Sequence, residues 1–160
     1  MSYVCRNHPQ QKKKDFVDDR EITDSDFEVF NERFSFSIDV AASINNAKLP
    51  RYFTKEDNGL EKEWLGRVWC NPPYSDISNW VQKAWREWDA GSCELIVMLL
   101  PANRTEQVFW ADYVETQRMK IPDFHVEFLK GRRRFIAAGD TKIQPNSRPP
   151  FGLCLLIWDR

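Results

Sequence analysis

Residues 66–74 decide the fold, and they read Gly66-Arg67-Val68-Trp69-Cys70-Asn71-Pro72-Pro73-Tyr74. The apolar run stops at two prolines, which have no N–H to donate to a neighbouring strand, so the sequence predicts a strand over residues 66–70 that ends in a rigid turn. Helical spacing begins at once, after Ser75 or Asp76, with a single apolar stripe formed by Ile77, Trp80, Val81, Ala84, Trp85 and Trp88. A strand followed by a turn and a helix is typical of α/β proteins.

The rest of the chain alternates in the same way. A capping box, Ser25 to Glu28, predicts a helix that ends near Arg33, and residues 105–117 predict another with Val108, Phe109, Tyr113 and Val114 facing inward. Strands are expected at residues 36–40, 51–53, 95–100, 124–128 and 151–158. The run at 95–100 is continuously apolar, as in a strand buried on both faces of a parallel sheet. We therefore expect a single compact α/β sheet with helices on both faces and ligands at the carboxyl ends of its strands.

Length and charge limit the class of protein. With 160 residues and 42% hydrophobic residues, the chain suits one compact domain. We expect a charged N-terminal arm over residues 1–22 and the domain itself over residues 23–160. The formal net charge of −1 excludes a protein that is basic overall, so a nucleic acid must be bound by a local patch. Two candidate patches are the lysines at 12–14 and the segment at 130–134.

The cysteines and the hydropathy pattern argue against a metal site and a membrane protein. The four cysteines are scattered, which suits a reducing cytosol. Cys5 and His8 give half of a zinc spacing and no second half follows, so no metal is expected. The run at 95–100 is far too short to span a bilayer. The sequence predicts a soluble, cytoplasmic protein.

The turn at residues 71–74 has the chemistry of a site that holds an amine. Because Pro72 and Pro73 lack N–H groups, the turn presents acceptors, namely the Asn71 side-chain oxygen and nearby carbonyls. Such acceptors can hold a planar –NH₂ by both hydrogens and draw its lone pair out of conjugation. Tyr74 adds a face for a flat group, and stacking on a nucleobase would contribute about 1–3 kcal/mol. The alternative is a rigid turn with a tyrosine that only packs.

Several segments together resemble the phage-type DNA N-6-adenine methyltransferase (Dam) family. They occur in the family's order, and they are Asp39-Val40-Ala41-Ala42, Asn46-Ala47-Lys48, Tyr52-Phe53-Thr54, Asp57-Asn58-Gly59-Leu60, Asn71-Pro72-Pro73-Tyr74, Leu100-Pro101-Ala102 and Gly131-Arg132-Arg133-Arg134-Phe135. Two features depart from the family pattern. The family's Thr-Pro is Thr23-Asp24 here, and no glycine lies between Asp39 and Asn58.

The resemblance implies a Rossmann-like class I methyltransferase that transfers a methyl group from S-adenosylmethionine to a flipped adenine in double-stranded DNA. The catalytic residues it implies are Asn71, Pro72, Pro73 and Tyr74. Those that would hold the methyl donor are Thr23, Asp39, Ala41, Ala42 and Asp57. Those that would contact DNA phosphates are Lys130, Arg132, Arg133 and Arg134. It also implies a phage or prophage origin, action in the host cytoplasm and a role in shielding viral DNA from restriction.

Other interpretations stay open at this stage. The same turn could hold an RNA base or a glutamine amide, or the fold could bind S-adenosylmethionine or DNA without catalysis. Asp39 could simply end a strand, and Asp57 could belong to a solvated loop. The arginines at 132–134 could be a solubilising turn.

Overall fold

In a computed structural model of the protein, the described residues are 21–132, 135–136 and 151–160, with residues 135–136 described by their backbone alone. The strands are β1 (Glu21–Ile22), β2 (Ile38–Asp39), β3 (Gly66–Cys70), β4 (Cys93–Pro101), β5 (Phe124–Phe128), β6 (Phe135–Ile136) and β7 (Leu153–Asp159). The helices are α1 (Asp24–Phe34), α2 (Ile77–Ala90) and a composite α3, which consists of Val108–Trp110, a π-helical turn at Ala111–Glu115, and Thr116–Arg118.

Five strands form one sheet in the order β2-β3-β4-β7-β5. β2, β3 and β4 are parallel, whereas β7 runs antiparallel to both of its neighbours, β4 and β5. The carboxyl ends of β2, β3, β4 and β5 therefore meet at one edge, together with the start of β7. We call this the carboxyl edge. The predicted α/β sheet is confirmed, although β4 is parallel to only one neighbour and not part of an all-parallel sheet.

Helices cover both faces of the sheet. Trp69 of β3 contacts Phe27 of α1, with ring centroids 5.4 Å apart. Trp85 of α2 contacts Trp158 of β7 at 5.3 Å. Val68 and Trp158 both pair with Ile96 of β4, so their side chains lie on the same face of the sheet. Trp69 follows Val68 in the strand, so its side chain points to the opposite face. Hence α1 lies on one face and α2 on the other, as predicted.

The predicted strand over residues 66–70 and the predicted apolar stripe of α2 are both confirmed. The strand over residues 66–70 forms with the predicted bounds, and its last three residues are buried. Five members of the predicted stripe on α2 are buried, and Trp85 is partly buried because its indole N–H reaches the Tyr113 carbonyl at 2.8 Å. Residues 95–100 of β4 are buried throughout, so they form the centre of the core.

The predicted start of the first helix was wrong. Thr23, not Ser25, is the N-cap residue, and its side-chain oxygen accepts the Asp26 N–H at 3.2 Å. The sequence reads Thr-x-x-Asp from this position, so the capping pattern lies two residues earlier than the one we expected. Ser25 lies within the first turn and contacts the Thr23 hydroxyl at 3.1 Å.

The predicted strands at 36–40 and 51–53 are much shorter than expected. Only Ile38–Asp39 pairs as β2, and Tyr52 makes a single bridge to Asp39. Phe36 instead turns into the face covered by α1, where its ring lies 5.3 Å from that of Trp69. Aromatic burial therefore replaces strand pairing at this position.

The third predicted helix begins later and faces differently. Residues 105–107 form a turn, in which the Gln107 N–H bonds the Arg104 carbonyl at 3.1 Å. Val108 is 75% exposed, whereas we expected it to face inward, and Trp110 is buried instead. The π-helical turn that follows has about one residue more per turn than an α-helix, so the spacing of buried residues along α3 departs from regular α-helical periodicity.

Some predictions fall outside the described residues. These are most of the N-terminal arm, with Cys5, His8 and the lysines at 12–14, together with Arg133 and Arg134. The last two arm residues, Glu21–Ile22, form β1, which pairs antiparallel with β6, and Ile22 is buried.

Across the part of the chain that the structure describes, no helix has the length and apolar character required to cross a bilayer.

A buried ion pair fixes the loop between β2 and β3. Lys83 and Glu87 of α2 pair with each other in the interior, which the apolar stripe alone did not predict. Glu87 also accepts the Trp64 backbone N–H at 2.9 Å, and the Trp64 indole donates to the Gly59 carbonyl at 2.8 Å. Gly59 in turn lies against the Val40 carbonyl, so this series of contacts holds the loop on the carboxyl edge.

Gly59→Ala should destabilise the protein by about 1–3 kcal/mol, because a methyl group there would lie 2.2 Å from the Val40 carbonyl oxygen, a backbone atom that cannot rotate away. Chemical denaturation of both proteins measures the difference. Gly152→Ala is the matched control, since the added carbon would meet only Ala102, at 4.0 Å. Equal stability of the Gly59 variant and the wild type would contradict the close approach.

Candidate functional site

The predicted catalytic turn and the predicted donor residues meet at the carboxyl edge. β2 and β3 are adjacent and parallel, with Asp39 in register with Trp69. The Val40 N–H continues the ladder by bonding the Trp69 carbonyl at 3.1 Å. Asn71 therefore leaves the sheet beside the chain that follows Asp39.

The turn at residues 71–74 is partly closed in this structure. Asn71 and Pro73 are partly exposed, and the Pro73 carbonyl accepts the Asp76 N–H at 3.1 Å, which joins the turn to α2. Tyr74 is only 5% exposed, and its ring lies edge-on to Phe151 with centroids 6.3 Å apart. A flat substrate can reach the face of Tyr74 only if one of these two rings moves. The predicted stacking role of Tyr74 remains a prediction.

Asp39 is a buried carboxylate at the end of β2, with 3% of its surface exposed. One oxygen accepts the Ala41 N–H at 3.3 Å and the other accepts the Lys48 N–H at 3.2 Å. Burial raises the pKa of Asp39 to about 6, against the opposing effect of those two N–H donors and the Lys48 charge. Burial, followed by the nearby Asp39 charge, raises the pKa of the Cys70 thiol well above its usual value. This edge is thus dry and electronegative.

Residues 51–57 place the other predicted donor residues beside Asp39. The Phe53 N–H bonds the Asp39 carbonyl at 2.8 Å, and the Ala42 N–H bonds the Phe53 carbonyl at 2.9 Å. Asp57 then closes a turn, with one carboxylate oxygen accepting both the N–H and the hydroxyl of Thr54, at 2.8 and 3.0 Å. These hydrogen bonds lower the pKa of Asp57, which is exposed. Asp57 is therefore a turn-forming residue that also presents an ionised group on this side of the molecule.

Lys48 connects this cluster to the start of α1. Its backbone N–H bonds Asp39, as described, and its ammonium group reaches Asp24 at 2.7 Å and Glu21 at 3.5 Å. Burial raises the pKa of Glu21, an effect that Lys48 partly opposes and Asp24 adds to. Thr23 lies between these acids, but its hydroxyl already caps α1. The predicted donor residues thus lie in one region, where several carboxylates share one lysine.

The basic segment also starts at the carboxyl edge. The Leu129 N–H bonds the Leu153 carbonyl at 2.9 Å, so Lys130 and Arg132 follow directly from the end of β5. Lys130 and Arg132 are both exposed. Gly131 between them has a φ of 73°, a conformation that favours glycine. The two described basic residues are therefore placed on the same edge as Asn71, with β4 and β7 in between.

A groove of about 340 Å³ opens beside the basic segment. It lies between α3 and the end of β5 and is lined by Thr105, Trp110, Ala111, Glu115, Arg118 and Phe128. Arg118 and Glu115, one turn apart on α3, pair at 2.8 Å on the helix side of the groove, and Phe128 is largely exposed. The groove is separate from the Asn71 turn, because β7 stands between β4 and β5.

Two contacts of the site were not predicted. Nothing in the sequence places Lys48 beside Asp24 or Glu21. The sequence predicts Phe151 as a strand residue, and its contact with Tyr74 follows from the position of β7 next to β4. Both contacts depend on residues more than 20 positions apart, for which local spacing gives no signal.

The clustered residues suit a ligand that carries hydroxyl and amino donors. Each Asp39 oxygen accepts one N–H and retains acceptor capacity, because a carboxylate offers about four lone-pair positions. Ala41 and Ala42, which follow Asp39, have small side chains; Ala41 is partly exposed and Ala42 is buried. S-adenosylmethionine, with its ribose hydroxyls and amino groups, is a ligand of this chemical type.

The chain is similar to a known protein family and to several known proteins. The chain matches the family model described as DNA N-6-adenine-methyltransferase (Dam) over residues 10–160. A DNA N-6-adenine-methyltransferase from Escherichia phage T1 is 36% identical over 77 residues, which cover 46% of this chain and 31% of the phage protein. One from Haemophilus phage HP1 (strain HP1c1) is 40% identical over 50 residues, 31% of this chain and 29% of that protein. YfdM from Escherichia coli (strain K12) is 34% identical over 77 residues, 43% of this chain and 85% of YfdM. The chain thus spans less than a third of the length of either phage relative.

Replacing Asp39 by asparagine should change how stability depends on pH. The folded pKa of about 6 lies above the ordinary value of 3.8, so the folded state prefers the protonated acid. The protonated carboxyl therefore stabilises the folded state by about 3 kcal/mol below pH 4. This stabilisation is lost as the pH rises through 6. Relative to wild type, Asp39→Asn should therefore gain stability as pH rises from 4 to 7.

Denaturant unfolding of both proteins at several pH values measures this difference. Lys48 and Cys70 are the described titratable groups that face Asp39, and both remain in the variant, so the difference reports the Asp39 carboxyl. A stability difference that does not vary between pH 4 and 7 would show that the carboxyl is not desolvated.

Proposed function

This chain belongs to the DNA N-6-adenine-methyltransferase (Dam) family, and we propose that it transfers a methyl group from S-adenosylmethionine to the exocyclic amine of adenine in double-stranded DNA. The observation that carries the proposal is the adjacency of two features at the carboxyl edge. A turn that offers hydrogen-bond acceptors leaves β3 immediately beside the buried carboxylate that ends β2. An amine site and a donor site side by side are what a transfer reaction requires.

We further propose that the fold is a Rossmann-like class I methyltransferase. Parallel strands β2, β3 and β4, with helices on both faces and chemistry at their carboxyl ends, support this assignment. The first of these strands ends in the donor-binding acid and the second ends in the catalytic turn. In this chain β2 has only two residues, and no helix lies between β2 and β3. The sheet is therefore a shortened form of that fold.

Asp39, Ala41 and Ala42 would hold the methyl donor, with Asp57 towards its adenine and Thr23 towards its methionine end. When bound, S-adenosylmethionine supplies a methyl group activated by a sulfonium. The Asp39 carboxylate supplies acceptors at the end of β2, and the two alanines leave room for close contact. Because the donor's hydroxyl and amino groups favour ionised Asp39, its affinity should rise with pH through the Asp39 pKa.

Asn71 and the Pro72 carbonyl would bind the adenine amine. Each accepts one of its two N–H groups, which holds the nitrogen lone pair away from conjugation with the ring and directs it at the methyl group. Pro72 and Pro73 stiffen this arrangement, because the fixed φ of proline limits the turn to few conformations. The nitrogen needs no strongly basic side chain, and the transfer is helped mainly by orientation and proximity.

Tyr74 would stack on the adenine after the base leaves the duplex. Since Tyr74 is covered by Phe151, entry of the base requires this ring pair to open. Unstacking a base costs a few kcal/mol, and stacking on an aromatic ring restores about 1–3 kcal/mol of it. Lys130 and the arginines at 132–134 would contact phosphates, which adds affinity without reading sequence.

Product identification tests the function directly. Purified protein is incubated with radiolabelled S-adenosylmethionine and either duplex DNA, RNA or bulk protein, and each polymer is then digested. Label on N6-methyladenine from DNA supports the proposal. Label on a methylated RNA base or on methylglutamine would assign a different substrate to the same turn, and binding without transfer would indicate a non-catalytic module.

Asn71→Ala should lower kcat by at least about 100-fold, because it removes an acceptor that acts on the nucleophile in the transition state. Donor affinity should be unchanged, since Asp39 and its neighbours are untouched. Transfer assays and calorimetric titration with S-adenosylmethionine measure the two effects. Asn79→Ala is the matched control, because Asn79 is an exposed asparagine on α2 that bonds Asp76. Normal turnover by Asn71→Ala would remove this side chain from the mechanism.

Arg132→Ala combined with Arg133→Ala should weaken DNA binding and reduce the slope of log K against log salt by up to about 2, since each phosphate contact contributes about 0.9. Fluorescence anisotropy with a duplex at several salt concentrations gives the slope. The charge-matched control is Lys62→Ala with Arg86→Ala, which removes two exposed cations outside the basic segment. The same slope in both double variants would assign the basic segment to solubility alone.

A further inference from the structure

We propose that Trp80 of α2 binds the methyl donor, and that its indole N–H donates a hydrogen bond to a ring nitrogen of the donor's adenine. This rests on the proposed function, because it takes the chain segments beside Asp39 as the donor site. The supporting observation is a buried indole N–H that has no acceptor among the described residues and whose ring lies against those segments.

The indole N–H of Trp80 is an unusual group for a protein interior. Trp80 is 7% exposed, its nitrogen is buried, and no residue in the described part of the chain accepts its proton. A buried donor without an acceptor destabilises the fold, so such groups are few in native proteins and each needs an explanation. The neighbouring Trp64 is satisfied, since its indole donates to the Gly59 carbonyl at 2.8 Å. The apolar stripe of α2 explains why Trp80 is buried, but not why its polar end lacks a partner.

The Trp80 ring lies against the segments predicted to hold the donor. A Cβ atom at Gly59 would lie 3.1 Å from the nearest atom of this ring and 2.2 Å from the Val40 carbonyl oxygen, so the three groups are in close contact. Val40 directly follows Asp39, and Gly59 lies two residues after Asp57. Because α2 begins just after the catalytic turn, Trp80 reaches from the helix behind the amine site to the candidate donor site.

Adenine is the part of the donor that complements this group. The carboxylates at this edge accept hydrogen bonds when ionised, so they can bind amino and hydroxyl groups but not the ring nitrogens of adenine, which are acceptors themselves. An indole N–H is a donor only, and it can bind such a nitrogen. Asp57, which we place towards the adenine, and Gly59 belong to the same loop. Trp80 therefore adds an unused donor to a set of acceptors at the adenine end of the site.

Burial makes this hydrogen bond stronger in its net effect than most contacts with a ligand. Hydrogen bonds to a ligand usually replace bonds to water, which reduces their net contribution. The Trp80 nitrogen is shielded from bulk water, so little is lost when a ligand atom takes the proton. For the same reason the ligand meets this nitrogen only after the ring or the loop at residues 54–61 moves.

Proton–nitrogen NMR of the indole groups tests the contact without relying on activity. Isotope-labelled protein is titrated with S-adenosylhomocysteine, the unreactive product of the donor. The Trp80 peak should move downfield as its proton gains an acceptor. It is identified by its loss in Trp80→Phe, or by sequential assignment of the wild type if that variant fails to fold.

Trp158 provides an internal control in the same spectra. Its indole N–H is also buried without a partner among the described residues. Trp158 pairs with Ile96 near the start of β4, so it lies towards the opposite edge of the sheet from the donor site. The Trp158 peak should therefore stay in place during the titration.

Calorimetric titration measures the contribution to affinity. Trp80→Phe keeps an aromatic ring and removes the N–H, so its affinity for S-adenosylhomocysteine should fall about tenfold. Trp158→Phe, the same change at the control position, should bind as the wild type does. Melting curves establish that both variants are folded at the assay temperature.

Analogues in which one adenine nitrogen is replaced by C–H identify the acceptor. One of them should bind the wild type about tenfold less tightly than S-adenosylhomocysteine does, because it lacks the atom that Trp80 contacts. Trp80→Phe should bind that analogue and the parent compound equally, since the interaction is already absent. If every analogue is weakened by the same factor in both proteins, the assignment to the adenine ring is wrong.

Two further outcomes separate this inference from the proposed function. Binding of S-adenosylhomocysteine with an unmoved Trp80 peak, or with equal affinity for wild type and Trp80→Phe, overturns the inference alone. If the wild type does not bind S-adenosylhomocysteine at all, the proposed function is overturned and the inference with it.

Discussion

The site depends on the parallel pairing of β2 with β3. Only two residue pairs hold these strands in register, Ile38 with Val68 and Asp39 with Trp69. That short ladder is reinforced from one face, where α1 and Phe36 surround the Trp69 ring. Because a shift of one residue would turn every side chain of β2 to the opposite face, burial of Ile38 fixes the position of Asp39. The acid and the proline turn are adjacent for this reason.

The charges of the molecule are segregated in a way that its net charge conceals. Glu21, Asp24, Asp39 and Asp57 lie on the β2 side of the carboxyl edge, whereas the described basic residues Lys130 and Arg132 follow β5, at the other end of the sheet. In the proposed activity, a cationic methyl donor and a polyanionic nucleic acid would therefore meet charges of opposite sign on one edge of the sheet. A separation of positive and negative charge on the surface can attract each ligand to its own region. A uniformly basic protein would not do this.

The fold was largely predictable where local signals and burial agree. The strand at 66–70 and the apolar stripe of α2 follow from two prolines and from helical periodicity, and both were predicted correctly. The start of α1 was misplaced because Thr23 and Ser25 are both good caps, and their spacing does not show which hydroxyl accepts a backbone N–H of the first turn. The late start of α3 and its π-helical turn depend on packing of Trp110 against β5 rather than on propensity.

The residues of the candidate site could be proposed from the sequence, but their arrangement in space could not. Asn71, Asp39 and the alanines were identified from the ends of strands, where α/β sheets hold ligands, and from the family resemblance. The contact of Phe151 with Tyr74 and the bridge made by Lys48 were not, since each joins segments that are distant in the chain. Electrostatic attraction and ring packing across such distances leave no periodic pattern in the sequence.

The place of β7 between β4 and β5 has a consequence for how the protein is made. β7 follows β4 by about fifty residues and completes hydrogen bonding on both of its sides. Until it has been synthesised, β4 and β5 each expose an unpaired edge rich in apolar side chains, which is a hazard for association between nascent chains. The high sequence separation of these pairings also slows the search for the native sheet. Folding of this domain should therefore be completed late, after the ribosome has released the segment that ends at Asp159.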